Sequence, residues 1–241
     1  AHHPKAAVYL PSPVVGTRAA SSGPTAGHRA GASETVTAGL TVRAVMGAAS
    51  SISTERDAAE LPSYATTTTA MATVVNLEVV GGEPTERAAA AAQALRWFDA
   101  VERACSRFDA DSELSQLCRT VGRPVAVSPL LYQPLRFAFA LAAATDGAFD
   151  PTVGATVHAL GFDRDWRTGL TTPRITPTVG VNWQTIDLGA DGRYVTLHAP
   201  VDLDLGAVAK GFALDLAAAE LRDFPGYCIE AGGDLWVTGV N

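Results

Sequence analysis

The stretch Val201–Asp215 constrains the fold and the function of this chain more than any other part. Its first five residues alternate between apolar and acidic side chains, which predicts a β-strand with Asp202 and Asp204 together on its exposed face. After Gly206 the apolar residues recur at helical spacing, at Val208, Phe212, Leu216 and Ala219. The sequence therefore predicts a strand that passes through a tight glycine turn into a mostly apolar helix.

The start of that helix is a predicted anion site. Backbone N–H groups at a helix start are unpaired and carry the positive end of the dipole, and Lys210 adds a positive charge within the first turn. Asp204 would face a cation that bridges to the same phosphate. A purely structural junction with a solvated lysine explains the same residues, so both interpretations stay open. A P-loop is excluded, because the residues around Lys210 lack its glycine spacing and its Ser or Thr.

Composition narrows the class of protein. With 241 residues, of which 47% are hydrophobic, the chain can bury a sizeable core, and we expect one mixed α/β domain. A net charge of −7 gives no support for nucleic-acid binding through a basic face. The three cysteines are widely spaced, which argues against a disulfide framework or a structural zinc site. No apolar run is long enough to predict a membrane span.

The N-terminal part differs from the rest. Residues 1–64 are rich in Ala, Ser, Thr, Gly and Pro without periodicity, so we expect a poorly ordered segment there and a domain over residues 65–241. The run Thr66–Thr69 is interpreted as solvated, and the first strand is expected after Met71. The N-terminus lacks the pattern of a signal peptide. This predicts a cytoplasmic protein, with an extracytoplasmic, membrane-associated location as the alternative.

Periodicity and turn residues predict the remaining elements. A half-buried strand is expected over Val75–Val79, followed by a helix that opens at Pro84 and runs to Cys105. Ser128 and Pro129 are typical of a helix start, and Gly147 of its end. Further on, the sequence predicts a long surface loop over Phe162–Asn182, a hairpin at Asp191-Gly192 and a turn between strands at Gly232-Gly233.

Four separated segments, in this order, resemble the ApbE-type flavin transferases, which are FAD:protein FMN transferases. The segments are Met71-Ala72-Thr73; Ser106-Arg107-Phe108 with Asp111–Leu114; Gly147–Gly154 with Gly161-Phe162; and Asp204–Asp215. The residues Glu230–Asp234 extend the match. The resemblance covers about Met71 to Gly239, and the order and spacing of its pieces favour a functional interpretation of the helix start over a structural one.

The resemblance implies a fold and a reaction. The fold is α+β, a single T-fold-like domain with helices packed on mixed sheets. The reaction is Mg2+-dependent transfer of the FMN moiety of FAD to a Ser or Thr hydroxyl of an acceptor flavoprotein, with release of AMP. The implied FAD-contacting residues are Met71, Phe108, Ala148, Phe149, Asp150, Asp204 and Lys210, and the carbonyl oxygen of Ala207 is an implied Mg2+ ligand. Catalytic residues and the oligomeric state are left unassigned.

The chain departs from the family pattern at three points. Phe108 stands where the family often has tyrosine, and Ala72 stands where the family usually has glycine. The family's later segments, which supply an Asp and a Thr to the metal and the base, have no counterpart before Asn241, so we expect a C-terminally incomplete domain. Two alternatives therefore stand beside the transferase: an FAD-binding pseudoenzyme or regulatory fragment, and a Mg2+-dependent FAD pyrophosphatase that gives FMN and AMP.

Overall fold

The computed structural model describes residues 61–172 and 175–239. Most of the segment expected to be poorly ordered, residues 1–60, lies outside this part of the chain. The described residues form two antiparallel sheets and five α-helices, which confirms the predicted α+β class.

The larger sheet has four strands in the order β1-β2-β6-β7. Its strands are β1 (Ser63–Ala70), β2 (Thr73–Val80), β6 (Gly226–Ala231) and β7 (Asp234–Thr238). The smaller sheet has the order β3-β5-β4, with β3 (Pro124–Ala126), β4 (Ile186–Leu188) and β5 (Tyr194–Leu197). The helices are α1 (Pro84–Cys105), α2 (Glu113–Cys118), α3 (Pro129–Ala144), α4 (Gly154–Ala159) and α5 (Gly206–Glu220).

One hydrophobic core joins the two sheets and the long helices. The inward residues of β2 alternate along the strand, with Val75, Leu77 and Val79 buried, as the sequence predicts. They belong to the same hydrophobic core as side chains of α1 and α5, where alanines such as Ala94 and Ala217 are fully buried. Because small side chains let helix backbones approach closely, α1 packs along α5 and brings the end of one helix to the start of the other.

Strand β1 was not predicted. The sheet begins at Ser63, and Thr66–Thr69 pair with β2 residues instead of forming a solvated loop. Five of the eight residues of β1 are exposed, so the strand lacks the apolar alternation by which strands are recognised. Threonine has a high β-propensity, and the strand is stabilised by ladder hydrogen bonds and by a side-chain hydrogen bond from Thr67 to Asn76.

The β-strand predicted over Val201–Leu205 is wrong, because these residues before α5 pair with no strand of either sheet. Their backbone pairs with the loop that precedes α4: the Gly154 N–H donates to the Asp202 carbonyl at 3.0 Å, and the Asp204 N–H to the Pro151 carbonyl at 2.8 Å. The alternate leucines are buried as predicted, but Asp202 is only 8% exposed. The prediction that the carboxylates of Asp202 and Asp204 are both exposed is therefore wrong, because the loop before α4 covers the side of the stretch that carries them. The predicted helix is confirmed, but Gly206, which was predicted to form a turn before the helix, is already its first residue.

Among the described residues, no helix is both long enough and apolar enough to cross a membrane.

Candidate functional site

A cleft of about 180 Å3 lies where four parts of the chain meet. They are the turn between β1 and β2, the C-terminal end of α1 with the residues after it, the loop after α4, and the start of α5. The cleft is lined by Met71, Ala72, Glu102, Cys105, Ser106, Arg107, Phe108, Trp166, Asp204, Gly206, Ala209 and Lys210. The structure thus brings together Met71, Phe108, Asp204 and Lys210, which the resemblance places at FAD.

The other implied site residues do not line this cleft. Ala148, Phe149 and Asp150 lie in the loop between α3 and α4. One carboxylate oxygen of Asp150 accepts hydrogen bonds from the N–H and the hydroxyl of Thr152, at 2.8 and 2.7 Å, so it shapes its own turn. The same loop holds the backbone of Asp204, through Pro151, and is therefore coupled to the cleft.

Ala207 is exposed in the first turn of α5, between cleft residues. Its carbonyl oxygen belongs to a helical backbone, so it offers at most one ligand to a hard cation. In residues 61–172 and 175–239 no group of three or more His, Cys, Asp or Glu side chains has the arrangement of a metal site. The described residues therefore do not complete a Mg2+ site, which needs near-octahedral oxygen coordination.

The turn that carries Met71 is strained. Met71 and Ala72 have φ angles of +52° and +60° and join the paired residues Ala70 and Thr73. Such two-residue turns need positive φ at both positions and favour Asn or Gly there. A left-handed conformation costs an L-residue about 1–2 kcal/mol, whereas glycine adopts it without this cost. The strain is opposed by a hydrogen bond from the Met71 N–H to Glu102 at 2.9 Å.

Asp204 is held by protein donors. Its Oδ2 lies 2.8 Å from Nε of Arg107, and its Oδ1 accepts a hydrogen bond from the Gly206 N–H at 2.7 Å. The Arg107 side chain is only 7% exposed, stacks 4.0 Å from the centre of the Phe108 ring and also donates to the Phe162 carbonyl. The cation that Asp204 faces in this structure is therefore Arg107, and the carboxylate occupies one N–H at the start of α5.

A second acidic group lies behind this pair. Burial raises the pKa of Asp202, while the neighbouring Arg107 and His158 oppose the rise. Asp202 and Arg107 also line a small cavity of about 60 Å3 beside α2. Arg107 thus stands between two carboxylates, in contact with the cleft on one side and with this cavity on the other.

Lys210 is positioned by the turn between β6 and β7. Its ammonium group donates to the Gly232 carbonyl at 3.1 Å and lies 3.3 Å from a carboxylate oxygen of Asp234. The turn is itself fixed by Glu230, which accepts hydrogen bonds from the Gly233 N–H at 3.0 Å and from Asn76 at 2.8 Å. These hydrogen bonds hold the pKa of Glu230 below its usual value. The segment Glu230–Asp234 is thus connected to the cleft by its contacts with Lys210.

Eight of the twelve cleft residues are outside the predicted site, among them Arg107, Glu102 and Trp166. Arg107 was part of a matching segment but received no role. Glu102 lies on the buried side of α1, at helical spacing from Phe98 and Cys105, so an acidic residue within an apolar stripe was the available sequence signal. Trp166 lies within the region predicted as a surface loop, and nothing in the sequence around it indicates that it turns towards the cleft.

Comparisons with known proteins point to one family. A model of the ApbE family matches residues 71–241. The FAD:protein FMN transferase of Haemophilus influenzae is 31% identical to this chain over 151 residues, which are 56% of this chain and 42% of that protein. The FAD:protein FMN transferase of Rhodobacter capsulatus is 37% identical over 145 residues, or 54% of this chain and 26% of that protein. The chain spans less than half the length of these curated relatives.

Solved structures share the fold. The ApbE protein of Thermotoga maritima is 26% identical and superposes with a TM-score of 0.63, over 75% of this chain and 60% of that one. The flavin transferase ApbE of Vibrio cholerae gives the same TM-score and the same coverage at 24% identity. Both comparisons agree with the α+β architecture described above.

Proposed function

The chain belongs to the ApbE family, and from this premise we propose that it transfers the FMN moiety of FAD to a Ser or Thr hydroxyl of an acceptor flavoprotein and releases AMP. Relatives named FAD:protein FMN transferase support two parts of this proposal, a flavin substrate and the transfer of its FMN moiety. The observation that carries the proposal is the cleft itself. Met71, Phe108, Asp204 and Lys210 come from separate segments of the chain and surround one space that holds aromatic, acidic and basic groups.

The proposed reaction is a phosphoryl transfer. The acceptor hydroxyl oxygen forms a bond to the phosphorus of the FMN half, the bond from that phosphorus to the bridging oxygen breaks, and AMP leaves with the bridging oxygen. The hydroxyl proton passes to a base that we leave unassigned. Catalysis of this class depends on positioning and on stabilising the charge that develops on the phosphates. Lys210 supplies that positive charge at the cleft.

Separate parts of the cleft suit separate parts of FAD. Phe108 offers an aromatic surface for a planar ring, although Arg107 already covers one of its faces. The start of α5, with Lys210 in its first turns, is the part suited to phosphate oxygens. Because Asp204 is paired with Arg107, its negative charge is compensated, so it does not repel a pyrophosphate group as a free carboxylate would.

We include Mg2+ dependence in the proposal on the strength of the resemblance. A divalent cation would neutralise part of the pyrophosphate charge. The described donor set does not fit a complete site, since Ala207 offers one carbonyl and Asp204 is engaged by Arg107. We therefore assign no step to the ion.

Binding of FAD without catalysis is the second candidate function, and one observation favours it. Two carboxylates line the cleft, Glu102 and Asp204, and each is bound by donor groups of the protein. Neither is therefore available as a general base for the acceptor hydroxyl. A chain with this arrangement would hold FAD and leave it unchanged.

The deciding experiment combines the chain with FAD, MgCl2 and a flavin-free acceptor flavoprotein. Intact-mass analysis follows the acceptor, and chromatography follows the nucleotides. An acceptor that gains FMN with equimolar AMP supports the transferase. Free FMN and AMP with an unmodified acceptor indicate a pyrophosphatase, and unchanged FAD that co-purifies with the chain indicates a binding protein.

Two variants make the assay specific for the cleft. Lys210→Ala removes the cleft ammonium group and is expected to reduce product formation and FAD binding at least tenfold. Arg222→Ala removes an equal charge from an exposed position just after α5 and should match the unmodified chain. Equal behaviour of the two variants would refute the role of Lys210.

A further inference from the structure

The buried carboxylate of Glu102 connects three separate parts of the structure. Glu102 is 8% exposed near the end of α1. One of its oxygens accepts the Met71 N–H at 2.9 Å, and the other accepts the indole N–H of Trp166 at 2.9 Å. The guanidinium group of Arg167 forms an ion pair with the same carboxylate. A buried charge needs such partners, so the contacts between these elements depend on this one side chain.

The loop that carries Trp166 has a defined shape of its own. The carboxylate of Asp165 accepts hydrogen bonds from the N–H groups of Arg167 and Thr168, at 2.9 and 2.7 Å, and these bonds lower the pKa of Asp165. The backbone of Asp165 also pairs with Leu170 at 2.9 Å. The loop is therefore a compact turn that presents a tryptophan and an arginine at its tip.

Trp166 lines the cleft in a fixed orientation. Its indole N–H is bound to Glu102, which restricts rotation of the ring, and the guanidinium group of Arg167 lies 5.0 Å from the ring centre. The ring is 38% exposed and contributes to the same cleft as Phe108 and Lys210. A rigid, half-exposed indole in a cleft is a surface on which a planar heteroaromatic ring stacks.

We propose that Trp166 is a binding residue for a planar ring of FAD and that Glu102 is the positioning residue that holds its indole in place. The identity of the ligand rests on the proposed function, and the stacking surface rests on the geometry. FAD contains two planar ring systems, the isoalloxazine and the adenine, and riboflavin and AMP are the probes that distinguish them.

The test measures the affinity of the full chain for FAD, riboflavin and AMP. Trp166→Ala is expected to weaken binding of FAD and of one of the two smaller probes about tenfold, as expected for the loss of one stacking contact. Trp166→Phe keeps an aromatic ring and should lose no more than about threefold. Trp236→Ala removes a tryptophan of similar exposure, 40%, from β7 outside the cleft, and should leave all three affinities unchanged.

Glu102 is tested through its coupling to Trp166. Glu102→Gln keeps the shape of the side chain but removes the charge, and FAD affinity should fall severalfold in the otherwise unchanged protein. In a Trp166→Ala background the same substitution should lose the part of its effect that is exerted through the indole, which leaves the part exerted through the Met71 N–H and the Arg167 ion pair. A role in stability alone would give the same loss in both backgrounds and would overturn the assignment of Glu102.

The outcomes separate this inference from the proposed function. If the unmodified chain binds FAD and Trp166→Ala binds it equally well, the stacking role is refuted while the flavin site stands. If the unmodified chain binds none of the three probes, the flavin site is refuted and this inference with it. Circular dichroism checks that each variant folds, and Trp166→Leu replaces Trp166→Ala if the latter does not.

Discussion

Replacing Gly232 by alanine tests how the turn after β6 supports the cleft. Gly232 has a φ of +55°, and an added Cβ would lie 2.3 Å from the hydroxyl oxygen of Thr73 and 2.9 Å from its Cβ. The left-handed conformation costs alanine about 1–2 kcal/mol, offset in part by the lower entropy of the unfolded chain. Overpacking against Thr73 adds about 1–3 kcal/mol. We expect Gly232→Ala to lower the free energy of unfolding by about 2–4 kcal/mol.

Gly192→Ala is the matched control for this prediction. Gly192 also has a left-handed conformation, with a φ of +72°, but an added Cβ would meet nothing closer than 3.6 Å, at Tyr132. Gly192→Ala should lower the free energy of unfolding by about 1 kcal/mol, because only the cost of the left-handed backbone conformation applies. Urea denaturation followed by circular dichroism measures both variants. Equal losses at the two positions would refute the steric argument, whereas Thr73→Ala should recover part of the loss in Gly232→Ala.

Three further predictions follow from other parts of the structure. Ala72→Gly should raise the free energy of unfolding by about 0.5–1 kcal/mol, since it relieves a residue at φ +60°, and a loss of stability in urea would contradict this. The lowered pKa of Glu230 means that this carboxylate stabilises the fold at pH values above its unfolded pKa of 4.5, and that this contribution is lost as the pH falls through the folded pKa. The melting temperature of Glu230→Gln should therefore fall less on acidification than that of the unmodified chain. Identical pH profiles of the two melting temperatures would rule the effect out. Burial raises the pKa values of Cys105 and Cys118 to about 12, so a thiol reagent at pH 8 should leave both unmodified in the folded chain and label them in denaturant, as checked by peptide mass analysis.

The local elements of the fold were predictable because their causes are local. The existence of α5, the course of α1 and the turn at Gly232-Gly233 each follow from spacings of a few residues. Helical periodicity and glycine turns depend on interactions between neighbours in the chain, so they leave a pattern in the sequence. The family resemblance has the same origin, since it was carried by short segments whose order could be checked along the chain.

Strand β1 shows where local reasoning fails. Its threonines give no alternation of apolar and polar residues, because the strand lies at the edge of the sheet and is largely exposed. Its stability comes from pairing with β2, which no property of the Thr66–Thr69 segment alone indicates. The burial of Asp202 is similar: alternation predicted which side chains share a face, but only the loop before α4 decides that the second face is covered as well.

The sequence by itself determined the fold class, the main helices and three of the four parts that meet at the cleft, those that carry Met71, Phe108 and Lys210. Tertiary structure alone decided how the four parts are held: Arg107 pairs with Asp204 across 97 residues, and Glu102 reaches Trp166 across 64. Such contacts depend on the packing of α1 against α5, because this packing determines the position of each of these side chains. The physical reason is that local spacing fixes backbone conformation, whereas the partner of a buried charge is selected by the whole folded core.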